Sequence, residues 1–268
     1  MTLKRNLLIA FGIILFFYLM LCILYFLYQE KLIFHPQPLP ADFEFQYEEP
    51  FEELWINTLD GEKINALHFK ADSSKGVVLY FHGNAGNLAT WGVVASQFLP
   101  HNYDLFIMDY RGFGKSTGTF NEYKLHQDAL ACYQYLIDSG VNGNDLLIYG
   151  RSIGSGIASR VANEKWNKGV ILESPLNNMV DLAHHYAPFL PHGLLLRYKF
   201  PVNHFVKYIR HPIYVIHGTE DEVIPYKLAV KLKDESEKVT FFTIEGGGHN
   251  NLDAFPEFDE IMKTILEK

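Results

Sequence analysis

The 268-residue chain has two cysteines, no Asn-x-Ser/Thr acceptor and no basic cluster longer than Lys4-Arg5. Cys22 lies in an apolar run and Cys132 in a predicted helix, so a disulfide framework and a Cys-x-x-Cys metal or redox site are excluded. A formal charge of −8 without any basic patch argues against nucleic acid as a partner. The absence of a glycosylation acceptor mildly disfavours a secreted eukaryotic glycoprotein. The paired His184-His185 invites a metal, but adjacent residues project apart on a regular element and no ligand quartet accompanies them. No metal and no cofactor is expected, and the sequence contains no internal repeat or low-complexity tract.

What the chain does have is one long apolar run. Leu7 to Tyr28 is free of charge and reaches roughly 33 Å as a helix, enough to cross a bilayer. It is longer than the apolar core of a signal peptide and lacks a small-x-small cleavage site. A lipoprotein signal would need a small residue before Cys22, where Leu21 stands. The expectation is an uncleaved anchor at 7–28 after a cytoplasmic N-terminus at 1–6, joined by a Pro-rich juxtamembrane linker at 29–50 to a domain at 51–268. Lys4 and Arg5 before the run, against the acidic stretch after it, orient the main domain to the extracytoplasmic side.

Within 51–268, runs of strand type alternate with helical periodicity. Leu54–Leu59 and Lys63–Phe69 flank Asp60-Gly61, a hairpin turn. Strands follow at Val77–Phe81, Leu105–Asp109, Leu146–Tyr149, Val170–Leu172, Ile213–His217 and Val239–Ile244. Helices are expected at Leu88–Phe98, Tyr123–Ser139, from Ile153 to about Glu164, near Tyr226–Lys233 and from about Phe255. This alternation predicts an α/β fold with a mostly parallel central sheet, helices on both faces and an antiparallel hairpin at its entry. The stretch at about 175–210 breaks the pattern and crowds aromatics, prolines and histidines together. It reads as a cap inserted over the carboxyl ends of the strands.

The chemistry centres on Gly150-Arg151-Ser152-Ile153-Gly154, between a buried strand and a small-residue helix. A serine there sits on a sharp turn that only glycines on either side can accommodate, with its hydroxyl at a helix N-terminus. Such a nucleophile needs a base, and the base needs an orienting carboxylate. The loop after Ile213–His217 offers Glu220, Asp221 and Glu222, and the next strand ends in Glu245-Gly246-Gly247-Gly248-His249. We therefore assign Asp221 as acid and His249 as base; Glu173, just after the strand that follows the elbow helix, stays open as the alternative acid, and Glu220 is read as a surface neighbour. The oxyanion hole is assigned to the backbone amides of Ile153 and of Asn84, in the loop Phe81-His82-Gly83-Asn84. His82 and Arg111 are read as structural.

Together, H-G-N-A-G-N, D-Y-R-G-F-G-K-S, G-R-S-I-G, H-G-T-E-D-E-V-I-P and G-G-G-H-N resemble the α/β-hydrolase superfamily over about residues 50 to 268, and its membrane-anchored α/β-hydrolase domain serine hydrolases and their bacterial relatives in particular. The resemblance implies Ser152 as nucleophile, Asp221 as acid, His249 as base and Asn84 and Ile153 as oxyanion donors, with no position departing from the pattern. It implies an anchored serine hydrolase but does not settle the substrate; the apolar cap residues Phe189, Leu190, Leu194 to Leu196, Tyr198 and Phe200, with the tether, favour an acyl ester, thioester or lipid-like substrate. A serine peptidase or amidase on the same three residues, and a non-catalytic binding protein on the same fold, are the alternatives. Fold and triad define how a bond is cut, not which bond.

Overall fold

The computed structural model describes Thr2 to Glu267; Met1 and Lys268, the outermost residues of the expected N-terminal segment and domain, lie outside the described residues. The chain opens with α1 (Thr2–Ile33) and β1 (His35–Pro36), followed by β2 (Phe51–Asn57), β3 (Lys63–Phe69), β4 (Val77–Phe81), β5 (Ala85–Gly86) and α2 (Leu88–Trp91). Next come β6 (Asp104–Met108), α3 (Glu122–Asp138), β7 (Leu146–Arg151), α4 (Gly154–Glu164) and β8 (Gly169–Glu173). Three short helices, α5 (Met179–Tyr186), α6 (His192–Leu195) and α7 (Val202–Val206), occupy the expected cap. The chain returns to the sheet through β9 (Ile213–Gly218), α8 (Tyr226–Ala229), β10 (Val239–Ile244) and α9 (Pro256–Leu266).

Eight strands form one sheet in the order β10-β9-β8-β7-β4-β6-β3-β2. Pairing is antiparallel between β2 and β3 and between β3 and β6, and parallel elsewhere. The central strands read as unbroken apolar runs because both faces are covered. Alternation splits them into two cores: Leu79, Phe81, Ile148 and Leu172 pack with α3 and α4 on one side. Val78, Tyr80, Tyr149 and Ile171 pack with α9 on the other. This is the α/β-hydrolase fold expected from the sequence.

Two local readings change. The single helix expected over Leu88–Phe98 is one α-turn, Leu88–Trp91, continued as a 3₁₀ segment over Gly92–Gln97. Gly92 packs so tightly under the Tyr47 ring that a Cβ there would lie 2.4 Å from it. The helix near Tyr226 likewise tightens into 3₁₀ form after Ala229.

α1 is longer than the expected 7–28 span, and its final turns take the first residues of the expected linker. It is long and apolar enough to cross a membrane, and most of its side chains are exposed. The rest of the linker is pinned to the domain. His35 N donates to Asn84 O at 2.8 Å, Gln37 N to Gly86 O at 3.3 Å and Leu39 N to Gly114 O at 2.8 Å.

Candidate active site

All the expected site residues follow strands at the carboxyl edge of the sheet: Asn84 after β4, Ser152 after β7, Asp221 after β9 and His249 after β10. Ser152 has φ of 54°, a left-handed conformation that a side chain adopts only under constraint. The constraint is visible in its neighbours. A Cβ on Gly154 would lie 2.1 Å from the Phe81 carbonyl, and one on Gly150 would lie 2.5 Å from the Gly154 carbonyl. Ser152 N donates to Glu173 O at 2.9 Å, which ties the turn to β8.

The acid and base loops are fastened to each other. Glu220 N donates to Gly247 O at 2.9 Å, Thr219 N to Ile244 O at 3.0 Å and Gly246 N to Thr219 Oγ1 at 2.9 Å. Gly218 permits this crossing, since a Cβ there would meet the Gly247 carbonyl at 2.0 Å.

The structure brings Ser152, His249 and Asp221 together. His249 Nε2 lies 3.0 Å from Ser152 Oγ, and His249 Nδ1 lies 2.8 Å from Asp221 Oδ2. All three are buried. A carboxylate only accepts, so we assign the Nδ1 proton of His249 toward Asp221, which leaves Nε2 free to accept the serine proton. Asp221 Oδ1 accepts from Val223 N at 2.9 Å and Ile224 N at 2.6 Å. Burial works against the Asp221 charge, but the hydrogen bond from His249, with that from the Ile224 amide, outweighs it and holds the carboxyl below its usual range.

On the far side of Asp221, His217 Nε2 donates to Ile224 O at 2.9 Å and lies 3.4 Å from Asp221 Oδ2. Burial lowers the His217 pKa in spite of that carboxylate, so the ring stays neutral.

Glu173, the alternative acid, turns elsewhere. It accepts from Tyr149 Oη at 2.6 Å and pairs with Arg151 Nε at 3.1 Å, with no contact to His249. Glu220 is exposed. His82 donates Nδ1–H to the Gly83 carbonyl at 2.7 Å, lies 3.4 Å from Asp109 and stacks on Trp91. Arg111 ties the hairpin turn to α3, with Nε 2.6 Å from Asp128 and Nη2 2.7 Å from Asp60. His184 and His185 are exposed, and no cluster able to hold a metal ion occurs among the described residues.

The backbone amides of Asn84 and Ile153 have no hydrogen-bond acceptor among the described residues. Both residues line, with Ser152, a cavity of about 410 Å³. Its walls are apolar: Leu176, then Met179, Leu182 and Ala183 from α5, then Leu196, Val223 and Ile224. Of the apolar residues in the later part of the cap, from Phe189 to Phe200, only Leu196 lines the cavity. Leu190, Tyr198 and Phe200 are buried, the last two in the core shared with the central strands, while Phe189 and Leu194 face outward.

Sequence reasoning missed three contributors. Arg151 Nη2 lies 3.3 Å from His249 O and 3.2 Å from Asn250 Oδ1, so the variable position of the elbow steadies the histidine loop. Glu222 accepts from His249 N at 3.2 Å. Tyr25, Leu32 and Ile33 of α1 also line the cavity; nothing in the charge-free run marks the face that holds Tyr25, and Leu32 and Ile33 fall in the expected linker.

A family model described as serine aminopeptidase, S33, matches residues 72–200. An uncharacterised protein of Mycobacterium tuberculosis is 26% identical over 246 residues, covering 89% of this chain and 88% of that protein. Human α/β hydrolase domain-containing protein 17C is 28% identical over 235 residues, covering 84% of this chain and 69% of its own. Among solved structures, a Pyrococcus furiosus esterase superposes with a TM-score of 0.68 at 19% identity, covering 88% of this chain and 96% of its own. Est1E from Butyrivibrio proteoclasticus, with ferulic acid bound, reaches a TM-score of 0.65 at 21% identity, covering 80% of this chain and 98% of its own. In fold the chain is an α/β-hydrolase, and in sequence it is similar to the serine aminopeptidase family model over 72–200 and to the α/β-hydrolase domain-containing proteins.

Proposed function

We propose that the chain is a membrane-anchored serine hydrolase that cleaves carboxylic esters or thioesters through an acyl-enzyme on Ser152. The observation that carries this reading is the linked geometry of Ser152, His249 and Asp221 at the floor of an apolar cavity, with two unpaired amides beside the serine. His249 takes the Ser152 proton as the oxygen attacks the substrate carbonyl. The amides of Asn84 and Ile153 hold the oxyanion, each contributing about 3 kcal/mol to the transition state. His249 then protonates the leaving group and later activates the water that releases the acyl chain, while Asp221 fixes the imidazole tautomer and stabilises its charge. No cofactor takes part.

The apolar walls favour an acyl chain over a polar peptide, and the esterases among the fold's neighbours agree with that choice. A peptidase or amidase on the same three residues is the second reading, supported by the serine aminopeptidase description of the matching family model. α1 is the anchor in this proposal, with Lys4 and Arg5 at the cytoplasmic end and the domain on the other side.

The test is labelling of membranes containing the full chain with a fluorophosphonate probe, followed by a panel of acyl esters, acyl thioesters and peptide amides. Wild type should label and Ser152→Ala and His249→Ala should not. Absence of labelling in folded wild type would sink the serine-hydrolase reading, and faster cleavage of amides than of esters would replace it with the second.

A further inference from the structure

The cavity beside Ser152 is not built by the catalytic domain alone. Tyr25, Leu32 and Ile33 of α1 line it together with Leu182, Ala183 and Tyr186 of α5. The last residue of the helix is fixed to the oxyanion loop, since Asn84 Nδ2 donates to Ile33 O at 2.7 Å. The same helix therefore passes from the span proposed to cross the bilayer directly into the wall of the substrate site.

The cap also runs along the helix, not across its end. Tyr18 Oη donates to Phe189 O at 3.0 Å and Tyr25 Oη meets His192 Nδ1 at 3.0 Å. Gln29 is fully buried; its Nε2 donates to Leu195 O at 3.1 Å and its Oε1 accepts from Arg197 N at 2.7 Å. Cys22, between them, is buried too. Positions 18, 22, 25 and 29 are spaced by four, three and four, which places them on one helical face.

From Tyr28, where the charge-free run ends, back to Tyr18 is about 15 Å of helix. That is about half the thickness of the hydrocarbon core. Two large apolar side chains of this part of the cap face outward, Phe189 63% exposed and Leu194 86% exposed, beside the exposed His184 and His185 of α5. Arg197 pairs with Glu30 at 3.0 Å where the helix leaves the apolar span.

We propose that the cap is seated in one leaflet beside the anchor, and that the cavity between α1 and α5 receives the acyl chain of a bilayer-resident substrate directly from that leaflet. The inference rests on the hydrolase reading above but assigns something further: the anchor's last turns are a wall of the acyl site, and the substrate does not cross water to reach Ser152.

Two measurements on the full chain in phosphatidylcholine nanodiscs test it. The first places a nitroxide on Leu194→Cys, a position outside the cavity; the native Cys22 and Cys132 are both buried. Relaxation by oxygen should exceed relaxation by a water-soluble nickel chelate, and the reverse order would place the cap in water and overturn the proposal. The second compares Ile33→Trp, which fills the cavity, and Leu32→Ala, which widens it, by the ratio of kcat/KM for a dodecanoyl ester to that for an acetyl ester. The ratio should fall at least tenfold in the first and shift toward longer or bulkier chains in the second. Unchanged ratios in both variants would remove α1 from the acyl site. Wild type that neither labels with fluorophosphonate nor hydrolyses any ester is a different outcome, because it removes the hydrolase reading itself.

Discussion

Replacing Asp221 with asparagine changes one atom type and almost no volume, so its effect is set by the hydrogen bonds around that side chain. Oδ1 of Asp221 accepts from two backbone amides, Val223 N at 2.9 Å and Ile224 N at 2.6 Å. In the asparagine variant those amides still need an acceptor, so the amide oxygen takes their place and its NH₂ is turned to His249. His249 Nδ1 must then accept, which moves the ring proton to Nε2 and points it at Ser152 Oγ, 3.0 Å away. The histidine can no longer take the serine proton. The expected loss is about 10⁴-fold in kcat. At about 1.4 kcal/mol per decade this is a barrier increase of about 5 kcal/mol. Steady-state hydrolysis of a short aryl ester, alongside melting temperature, is the assay; the melting curve should stay close to wild type while kcat collapses. Activity within tenfold of wild type, or a larger loss in Glu173→Gln than in Asp221→Asn, would refute the assignment of Asp221 as the orienting carboxylate.

Gly154→Ala should damage both stability and rate, because its Cβ would lie 2.1 Å from the Phe81 carbonyl and the elbow must shift. We expect about 1–3 kcal/mol of destabilisation by chemical denaturation, and about 10²-fold slower turnover from a displaced Ser152; unchanged turnover would show that the elbow relaxes freely. Arg111→Leu should cost about 3–5 kcal/mol at neutral pH, since it strands the fully buried Asp128 without its guanidinium. Burial already pushes the Asp128 carboxyl up against the pull of Arg111. Without the arginine, folded Asp128 takes up a proton at a pH where the unfolded chain is still ionised, so the deficit should shrink as pH falls. A deficit constant from pH 8 to pH 4 would contradict that account, and melting temperature against pH is the measurement.

Much of the site was legible in the sequence because its signals are local. A glycine on each side of Ser152, an apolar run ending before it and small residues after it are enough to specify a strand, a strained turn and a helix. Each other loop likewise follows its own strand, so the order Asn84, Ser152, Asp221, His249 along the chain already carries the arrangement of the strand ends. The apolar span of α1 is legible for a similar reason, since twenty or so charge-free residues have few other solutions. The cap was legible only as an interruption in the pattern.

Other features belonged to the tertiary structure. Asp221 and Glu173 both follow sheet strands, and composition does not separate them. What separates them is where each carboxylate points: Glu173 is taken by Tyr149 and Arg151 across the β7–β8 pairing, whereas Asp221 is turned to His249, 28 residues further along. Ser152 and His249 are 97 residues apart and meet only because the sheet brings the ends of β7 and β10 to one edge. The part played by α1 in the cavity depends on contacts such as Tyr25 to His192, 167 residues apart, which no periodicity encodes. The sequence by itself determined the local turns, the strand that each candidate residue follows and the long apolar helix, because these depend on residues close together in the chain. Only the tertiary structure decided which acid serves the histidine and which helix walls the cavity, because both are settled by distances between residues that the sequence keeps far apart.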